Sequence, residues 1–179
     1  MSWKAISSIT CLPFIDDSDN CYGTEIHEYK EELKSFGVVT ELKDGVEFVL
    51  KYLSFPSDPS TIAPERVFSL LDCFRIQSEE ALLPLDEVFR EKLSTNWLKT
   101  HNGYRSPDKC LLFDNKWSVF FKPTDGLFID ANFFGPQIGS YKKELNEIGI
   151  VVDLDKGCDL AAKHLDSLSD YNTIVQIYR

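Results

Sequence analysis

The amino-acid sequence predicts an α+β fold in which two α–β–α repeat units flank a helix pair and a β-hairpin. A 33-residue segment occurs twice, each copy places apolar residues at helical spacing around a short apolar run, and the residues between the copies add further helical stripes. We expect a single compact domain over 1–179. Its parts are repeat unit 1 at 12–55, a helical and hairpin insert at 56–122, repeat unit 2 at 123–168 and a C-terminal strand or tail at 169–179.

The repeat is visible in a direct alignment without gaps. Residues Gly23 to Phe55 match Gly135 to Ser167, and 12 of the 33 positions are identical. The tripeptide Phe-Ile-Asp at 14–16 recurs at 128–130, after a two-residue difference in spacing. Unrelated segments of ordinary composition do not match so densely. We therefore expect the two copies to fold alike.

Each copy predicts a helix, a short strand and a second helix. The first helices carry apolar residues at helical spacing, namely Ile26, Tyr29, Leu33 and Phe36 in one copy and Ile138, Tyr141, Leu145 and Ile148 in the other. Gly37 and Gly149 follow, and we expect both at positive φ, where glycine ends a helix without steric cost. The next apolar runs, at 38–39 and 150–152, predict buried strands.

Helical spacing also recurs in the rest of the chain. The second helices have apolar residues at i, i+3, i+4 and i+7, namely Val46, Val49, Leu50 and Leu53 in one copy and Cys158, Ala161, Ala162 and Leu165 in the other. In the insert, Pro64 suits the first turn of a helix with the stripe Val67, Leu70, Leu71 and Phe74. A second insert helix is predicted from Leu85 to about Leu98 through Phe89, Leu93 and Trp97. The stretch 109–123 predicts the hairpin, with its turn at 114–116.

Composition bounds the compartment and the partners. A hydrophobic content of 43% fits a folded chain. The five cysteines include no close pair, which favours reduced thiols and an intracellular location, in the nucleus or the cytoplasm. No long apolar run and no signal peptide are apparent, so we expect no membrane contact. The net charge of −10 opposes binding to nucleic acid.

Two distinctive blocks carry a resemblance to a known family. They run from Thr95 to Trp117 (TNWLKTHNGYRSPDKCLLFDNKW) and from Asp125 to Ile150 (DGLFIDANFFGPQIGSYKKELNEIGI). The blocks resemble the body of the large plant NO VEIN-like proteins, which are related to sacsin-type proteins. In that family, Trp-Leu-Lys-Thr and Gly-Tyr-Arg-Ser-Pro precede Phe-Ile-Asp, an aromatic-Gly pair, and a Tyr and Glu-Leu leading into Ile-Gly-Val. The likeness extends from Leu12 to about Leu168.

The resemblance implies a plant protein with nuclear associations, and it does not imply ATP binding. Larger members of the family resemble histidine kinases and Hsp90 only in a separate N-terminal ATPase segment, which these residues do not match. Such a site needs an Asp-x-Gly-x-Gly turn that lets the backbone approach the nucleotide, and the sequence contains no Gly-x-Gly. We expect no cofactor.

The sequence does not support a calcium site or a site built on histidine and cysteine. The acidic loop places Asp17, Asp19, Cys21 and Glu28 in the frame of an EF-hand. Tyr22 stands where that loop requires glycine, and a thiol is a poor calcium ligand, so we expect a solvated loop that begins a helix. Three scattered histidines do not form a zinc pair, and a free cysteine is more often a small buried hydrophobe than a nucleophile. We therefore expect no metal and no catalysis.

The remaining candidates for function are a basic strip and a group of aromatic residues. The segment 90–122 holds seven Lys and Arg against three acids. Candidate interaction residues within it are Arg105, Lys109, Lys116, Lys122, Trp97, Tyr104 and Trp117. A helix followed by a hairpin with Lys116 at the turn is the outline of a winged helix, in which His101 also joins the DNA contacts. The alternatives are that the strip pairs with acids of the repeats, such as Glu28, Glu31 and Glu32, and that the aromatic residues form core.

The sequence therefore predicts a non-catalytic protein–protein interaction or scaffold module. We expect a protein partner, whose identity the sequence does not give. The alternative is a nucleic-acid-binding regulator that uses the basic strip at 90–122.

Overall fold

The structure is a computed structural model that describes residues 9–10, 12–79, 87–119 and 121–163. These ranges contain seven α-helices and one two-stranded antiparallel sheet, so the predicted α+β class is confirmed. The helices are α1 (Lys30–Ser35), α2 (Leu42–Lys51), α3 (Pro64–Glu79), α4 (Glu87–Leu93), α5 (Ala131–Phe134), α6 (Lys142–Glu147) and α7 (Leu154–Lys163). The strands are β1 (Leu98–Thr100) and β2 (Gly103–Arg105). None of the helices in the described ranges is long and apolar enough to cross a membrane.

The chain groups into two compact units. Unit 1 comprises Met1–Pro56 and Glu65–Pro84, and unit 2 comprises Ser57–Pro64 and Leu85–Arg179. Repeat unit 1 therefore belongs to unit 1, and most of the insert belongs with repeat unit 2 in unit 2.

Unit 1 buries one face of α2 and most of the circumference of α3 between Val67 and Leu71. The helix α2 is amphipathic because its apolar residues recur at helical spacing, and its buried side chains are Val46, Val49 and Leu50, followed by Leu53. The helix α3 buries Val67, Phe68, Leu70, Leu71, Cys73 and Phe74. Leu53 also forms an antiparallel bridge with Thr10. Together with Ile9, these residues are the buried apolar residues of unit 1 in the described ranges.

The two repeat segments have the same order of elements at equivalent positions. A 3-10 helix at Thr24–Tyr29 leads directly into α1, and one at Pro136–Tyr141 leads directly into α6. The pairs α1 and α6, and α2 and α7, begin 112 residues apart, which is the offset of the sequence alignment. Gly37 and Gly149 have φ values of 85° and 104°, so positive φ at both helix ends is confirmed.

Unit 2 contains short backbone pairings that join the insert to repeat unit 2. Strands β1 and β2 pair in the register Leu98 with Arg105 and Thr100 with Gly103. Thr100 also bridges Ile129 in the antiparallel sense. Leu111 bridges Phe128 on one side and Val151 on the other, both in parallel. Leu111, from the insert, thus lies between two backbone segments of repeat unit 2.

The core of unit 2 surrounds Trp117. Its ring centroid lies 5.6 Å from that of Phe121 and 5.7 Å from that of Phe128, with edge-on geometry in both pairs. The buried cluster consists of Leu111, Trp117, Phe121, Leu127, Phe128 and Ala161. Gly157 in α7 leaves room for the indole, because a Cβ at that position would lie 2.0 Å from Trp117 Cη2. Trp117 therefore packs against α7 of the repeat.

The insert departs from its prediction in two places. The helix expected to reach Leu98 ends at Leu93, because Ser94 lies in a turn and Leu98 already begins β1. The position predicted for the hairpin is wrong, since Asn115–Val119 is a 3-10 helix and the hairpin is formed earlier, by β1 and β2. Asp114 starts the 3-10 turn by accepting a hydrogen bond from the Lys116 amide at 2.8 Å.

The middle strand predicted for each repeat is also shorter than expected. In repeat unit 2 it is reduced to the bridge at Val151, and in repeat unit 1 the segment 38–39 belongs to no strand. Several other expectations lie outside the described residues. These are the start of the second insert helix at Leu85, the aromatic Phe120, the positions His164 and Leu165, and the C-terminal strand or tail at 169–179.

Candidate interaction surface

Repeat unit 1 exposes large apolar side chains. Of the large hydrophobic residues that are exposed in the described ranges, all but Val119 lie within 12–55. They are Ile15, Tyr22, Tyr29, Phe36, Val39, Phe48 and Tyr52. Phe48 lies on α2 and Tyr52 is its C-cap residue, four positions later, so both lie on the outer side of the helix, opposite the buried one. We call this set the repeat-1 apolar surface.

The first helix of each repeat carries the same apolar stripe with opposite burial. Phe36 is 85% exposed, whereas its counterpart Ile148 is 6% exposed. Leu33 is half-buried, whereas its counterpart Leu145 is fully buried. The stripe is therefore covered in repeat unit 2 and open in repeat unit 1.

The insert covers the stripe in repeat unit 2. Its 3-10 turn at Pro107–Lys109 approaches Gly149 so closely that a Cβ on that glycine would lie 3.8 Å from Asp108 Cα. Lys142 at the start of α6 reaches the insert, with its Nζ 3.4 Å from Asp114 Oδ2. Val151 exchanges backbone hydrogen bonds with the same part of the insert.

No described segment occupies the equivalent place on repeat unit 1. A Cβ built on Gly37 meets nothing within 4 Å. Lys30, the counterpart of Lys142, makes its ion pair within its own repeat, with Glu41. In the part of the chain that the structure describes, neither the amide nor the carbonyl of Val39 takes part in a hydrogen bond.

The two repeats also differ in charge along this helix. Glu25, Glu28 and Glu31 are exposed in repeat unit 1. The aligned positions of repeat unit 2 hold Gln137, Ser140 and Lys143. A cationic partner is favoured beside the three glutamates, since opposite charges attract at close range and the attraction is screened by salt. The repeat-1 apolar surface is therefore flanked by negative charge.

The aromatic residues singled out in the sequence separate by burial. Trp97 is buried, and its indole Nε1 donates a hydrogen bond to the Leu93 carbonyl at 3.0 Å. Trp117 lies in the core of unit 2. Tyr104 is half-buried, with Lys99 Nζ 4.9 Å from its ring centroid. Both tryptophans thus belong to the core, as in the second alternative above, and the exposed aromatic residues of the described ranges lie in repeat unit 1.

The basic residues do not form the predicted wing. Lys116 lies in a 3-10 helix and not at a hairpin turn. Lys109 and Lys122 are exposed, but Arg105 is half-buried in β2 and its Nε has no hydrogen-bond partner among the described residues. His101 Nδ1 lies 3.7 Å from Asp130 Oδ1 within unit 2. The winged-helix arrangement inferred for 90–122 is therefore corrected.

The acidic loop at 16–28 is held by short local contacts. Asp16 Oδ1 accepts from the Ser18 amide at 3.0 Å, and Asp17 Oδ2 lies 3.1 Å from His27 Nε2. In the described ranges, no group of three or more His, Cys, Asp or Glu side chains is arranged to hold a metal ion. The loop therefore leads into the 3-10 helix that precedes α1.

Unit 2 also has a small concavity. It encloses about 220 Å³ and is lined by Arg90, Leu93, Ser94, Pro107, Asp108, Glu147, Ile148 and Gly149. Sites for small organic ligands usually enclose about 300–1,000 Å³. We therefore take the repeat-1 apolar surface, and not this concavity, as the candidate site.

The cysteines differ strongly in their environment. Burial and, to a smaller extent, the nearby Asp72 carboxylate raise the pKa of Cys73 to about 12. Burial also raises the pKa of Cys110 to about 12, against a smaller lowering by Arg105. Cys110 Sγ donates to the Ser106 carbonyl at 3.3 Å, whereas Cys21 is exposed. Cys73 and Cys110 therefore stay protonated near neutral pH.

We expect thiol labelling to follow this order. In a Cys11→Ser background at pH 8, Cys21 should react with a disulfide reagent about a hundredfold or more faster than Cys73 and Cys110, because the thiolate is the nucleophile and both buried thiols titrate far above that pH. The measurement is residue-resolved mass spectrometry during labelling. Equal rates after unfolding in denaturant serve as the control, and equal rates in the folded chain would contradict the burial of the two thiols.

Comparison with known proteins yields no match. No family model, no curated protein and no solved structure matches this chain.

Proposed function

We infer that this chain is a protein–protein interaction module that binds its partner through repeat unit 1. The observation that carries the inference is the difference between two aligned stripes, one covered by the insert and the other open. Exposed aromatic residues are the usual anchors of protein interaction sites. Phe36 and Tyr29, at 85% and 57% exposure and seven residues apart along the stripe, are the expected anchors.

The sequence resemblance supports a setting for this module. Since the blocks at 95–117 and 125–150 resemble the body of plant NO VEIN-like and sacsin-like proteins, we propose that it acts as a scaffold in the nucleus or cytoplasm. This role requires neither catalysis nor a cofactor. The 3-10 conformation of Asn115–Val119 does not support the winged-helix alternative, and we propose a protein partner.

A capture experiment tests this function. Immobilised chain is incubated with plant extract, with and without nuclease, and the retained proteins are quantified by mass spectrometry. Phe36→Asp should reduce the retained proteins about tenfold or more, since removing an aromatic anchor commonly costs at least 2 kcal/mol of binding energy. Nuclease should have no effect.

Val119→Asp is the matched control for this experiment. Val119 is 68% exposed and lies in unit 2, outside the repeat-1 apolar surface. The substitution adds the same charge at an exposed apolar position and should leave the retained proteins unchanged. Proteins that are released by nuclease and retained equally by both variants would refute the inference in favour of nucleic-acid binding.

A further inference from the structure

Repeat unit 2 shows how this type of repeat is completed. The Val151 amide donates to the Cys110 carbonyl at 3.1 Å, and the Leu112 amide donates to the Val151 carbonyl at 3.1 Å. Leu111, which lies between Cys110 and Leu112 in the chain, is fully buried and pairs with Val151 in parallel. A three-residue apolar segment of the insert therefore pairs with the linker between α6 and α7.

Repeat unit 1 presents the same linker without a partner. Val39 is the aligned counterpart of Val151, and its side chain is 38% exposed. Its amide and carbonyl are without hydrogen bonds in the described part of the chain. Phe36 and Gly37 on the approach to Val39 are also open. The amide and carbonyl of Val39 and the apolar stripe beside them are thus both accessible to a partner.

We propose that repeat unit 1 binds an extended apolar segment of a partner protein, which pairs in parallel with Val39 as Cys110–Leu112 pairs with Val151. This proposal rests on the proposed function and specifies the chemistry of the partner. In such strand addition, main-chain hydrogen bonds provide affinity and the side chains on the adjacent surface provide specificity.

The charge of repeat unit 1 favours a cationic partner segment. In the insert, the segment that pairs with repeat unit 2 follows Arg105 and Lys109. Repeat unit 1 replaces neutral or basic residues of repeat unit 2 with Glu25, Glu28 and Glu31, which strengthens attraction for a cationic chain. An extended apolar segment that also carries basic residues is therefore the ligand class that this site fits.

The probe is a fluorescent synthetic peptide with the sequence of residues 105–113, RSPDKCLLF, kept reduced. It reproduces the segment that completes repeat unit 2. We expect it to bind the full chain in an anisotropy titration, with an affinity that falls as salt is added. Val39→Pro, which removes the amide donor, should weaken binding about tenfold or more, and Val39→Thr, which keeps the amide and the branched side chain, should change it less than about threefold.

Two modified peptides test the backbone pairing on the unaltered protein. N-methylation at the position of Leu112 removes the amide that donates to Val151 in the insert, so it should weaken binding about tenfold. N-methylation at the position of Phe113 is the control, because that amide donates no hydrogen bond within the described ranges. It should leave the affinity within about threefold of the parent peptide.

Three results would overturn the proposal. They are an absence of peptide binding, an equal response to the two N-methylated peptides, and a concentration-dependent dimer in sedimentation that Val39→Pro dissociates. The last result would make a second copy of the chain the occupant. Loss of captured proteins in Phe36→Asp does not depend on any of these results, so the proposed function and the strand addition fail separately.

Discussion

Trp117→Ala is expected to destabilise unit 2 by about 3–5 kcal/mol, the usual cost of removing a buried tryptophan. Its side chain is fully buried among Leu111, Phe121 and Phe128, and its indole edge fills the space above Gly157. Removal leaves a cavity where the insert meets α7. Denaturant unfolding followed by fluorescence of Trp97, in a Trp3→Phe background, measures the loss, since Trp97 is buried in unit 2.

Val119→Ala is the matched control for the first prediction. Val119 lies two residues further along the same 3-10 helix and is 68% exposed. Its truncation should change the free energy of unfolding by less than about 0.5 kcal/mol, as is usual for surface positions. A comparable loss for both variants would mean that the 3-10 helix itself, and not the packing of the indole, stabilises unit 2.

Ile148→Ala and Phe36→Ala should differ widely although they change aligned positions of the two repeats. Ile148 is buried, so truncation should cost about 2–5 kcal/mol through lost burial and a residual cavity. Phe36 is almost fully exposed, so truncation should cost less than about 0.5 kcal/mol. Hydrogen exchange resolves the two losses, because it reports the opening free energy of α6 and α1 separately.

The comparison of Ile148→Ala with Phe36→Ala also distinguishes a structural role of Phe36 from a binding role. A large loss of protection around α1 in Phe36→Ala would show that Phe36 stabilises repeat unit 1 and is not available to a partner. Unchanged protection in α6 of Ile148→Ala would contradict the covering of repeat unit 2 by the insert. Hydrogen exchange reports each helix through its own amides, so the comparison does not require the whole chain to unfold cooperatively.

The sequence predicts the local structure of the repeats well. Both helix-ending glycines adopt positive φ, since no other residue takes that conformation so readily after an apolar stripe. The fold class and the helical faces of α2 and α3 follow from spacing that a core must satisfy. These features depend on residues that are close in the chain.

The insert is predicted less well because its conformation depends on tertiary contacts. The residues around Asp114 contain turn-forming side chains between two apolar runs, which is equally typical of a hairpin and of a 3-10 turn that directs Trp117 inward. Burial of the indole against α7 decides between them. One local feature is consistent with this contact, since glycine is unfavourable within a helix and Gly157 stands where the indole packs.

The candidate site could not be located from the sequence because its two defining stripes read alike. Phe36 and Ile148 occupy equivalent places in matching patterns, and only the three-dimensional position of the insert makes one buried and the other exposed. The sequence instead directs attention to the basic strip and to Trp97 and Trp117, both of which are core. The exposed stripe of repeat unit 1 can be recognised only when the structure shows that the equivalent stripe of repeat unit 2 is covered.

Site-specific photocrosslinking tests the central claim most directly. A photoreactive phenylalanine analogue is placed at Phe36 in one variant and at Val119 in another, both exposed positions, and each full-length chain is irradiated in plant extract after nuclease treatment. We predict discrete crosslinked protein species from position 36 and none from position 119. No species from position 36, or the same species from both positions, would contradict the assignment of repeat unit 1 as the protein-binding surface.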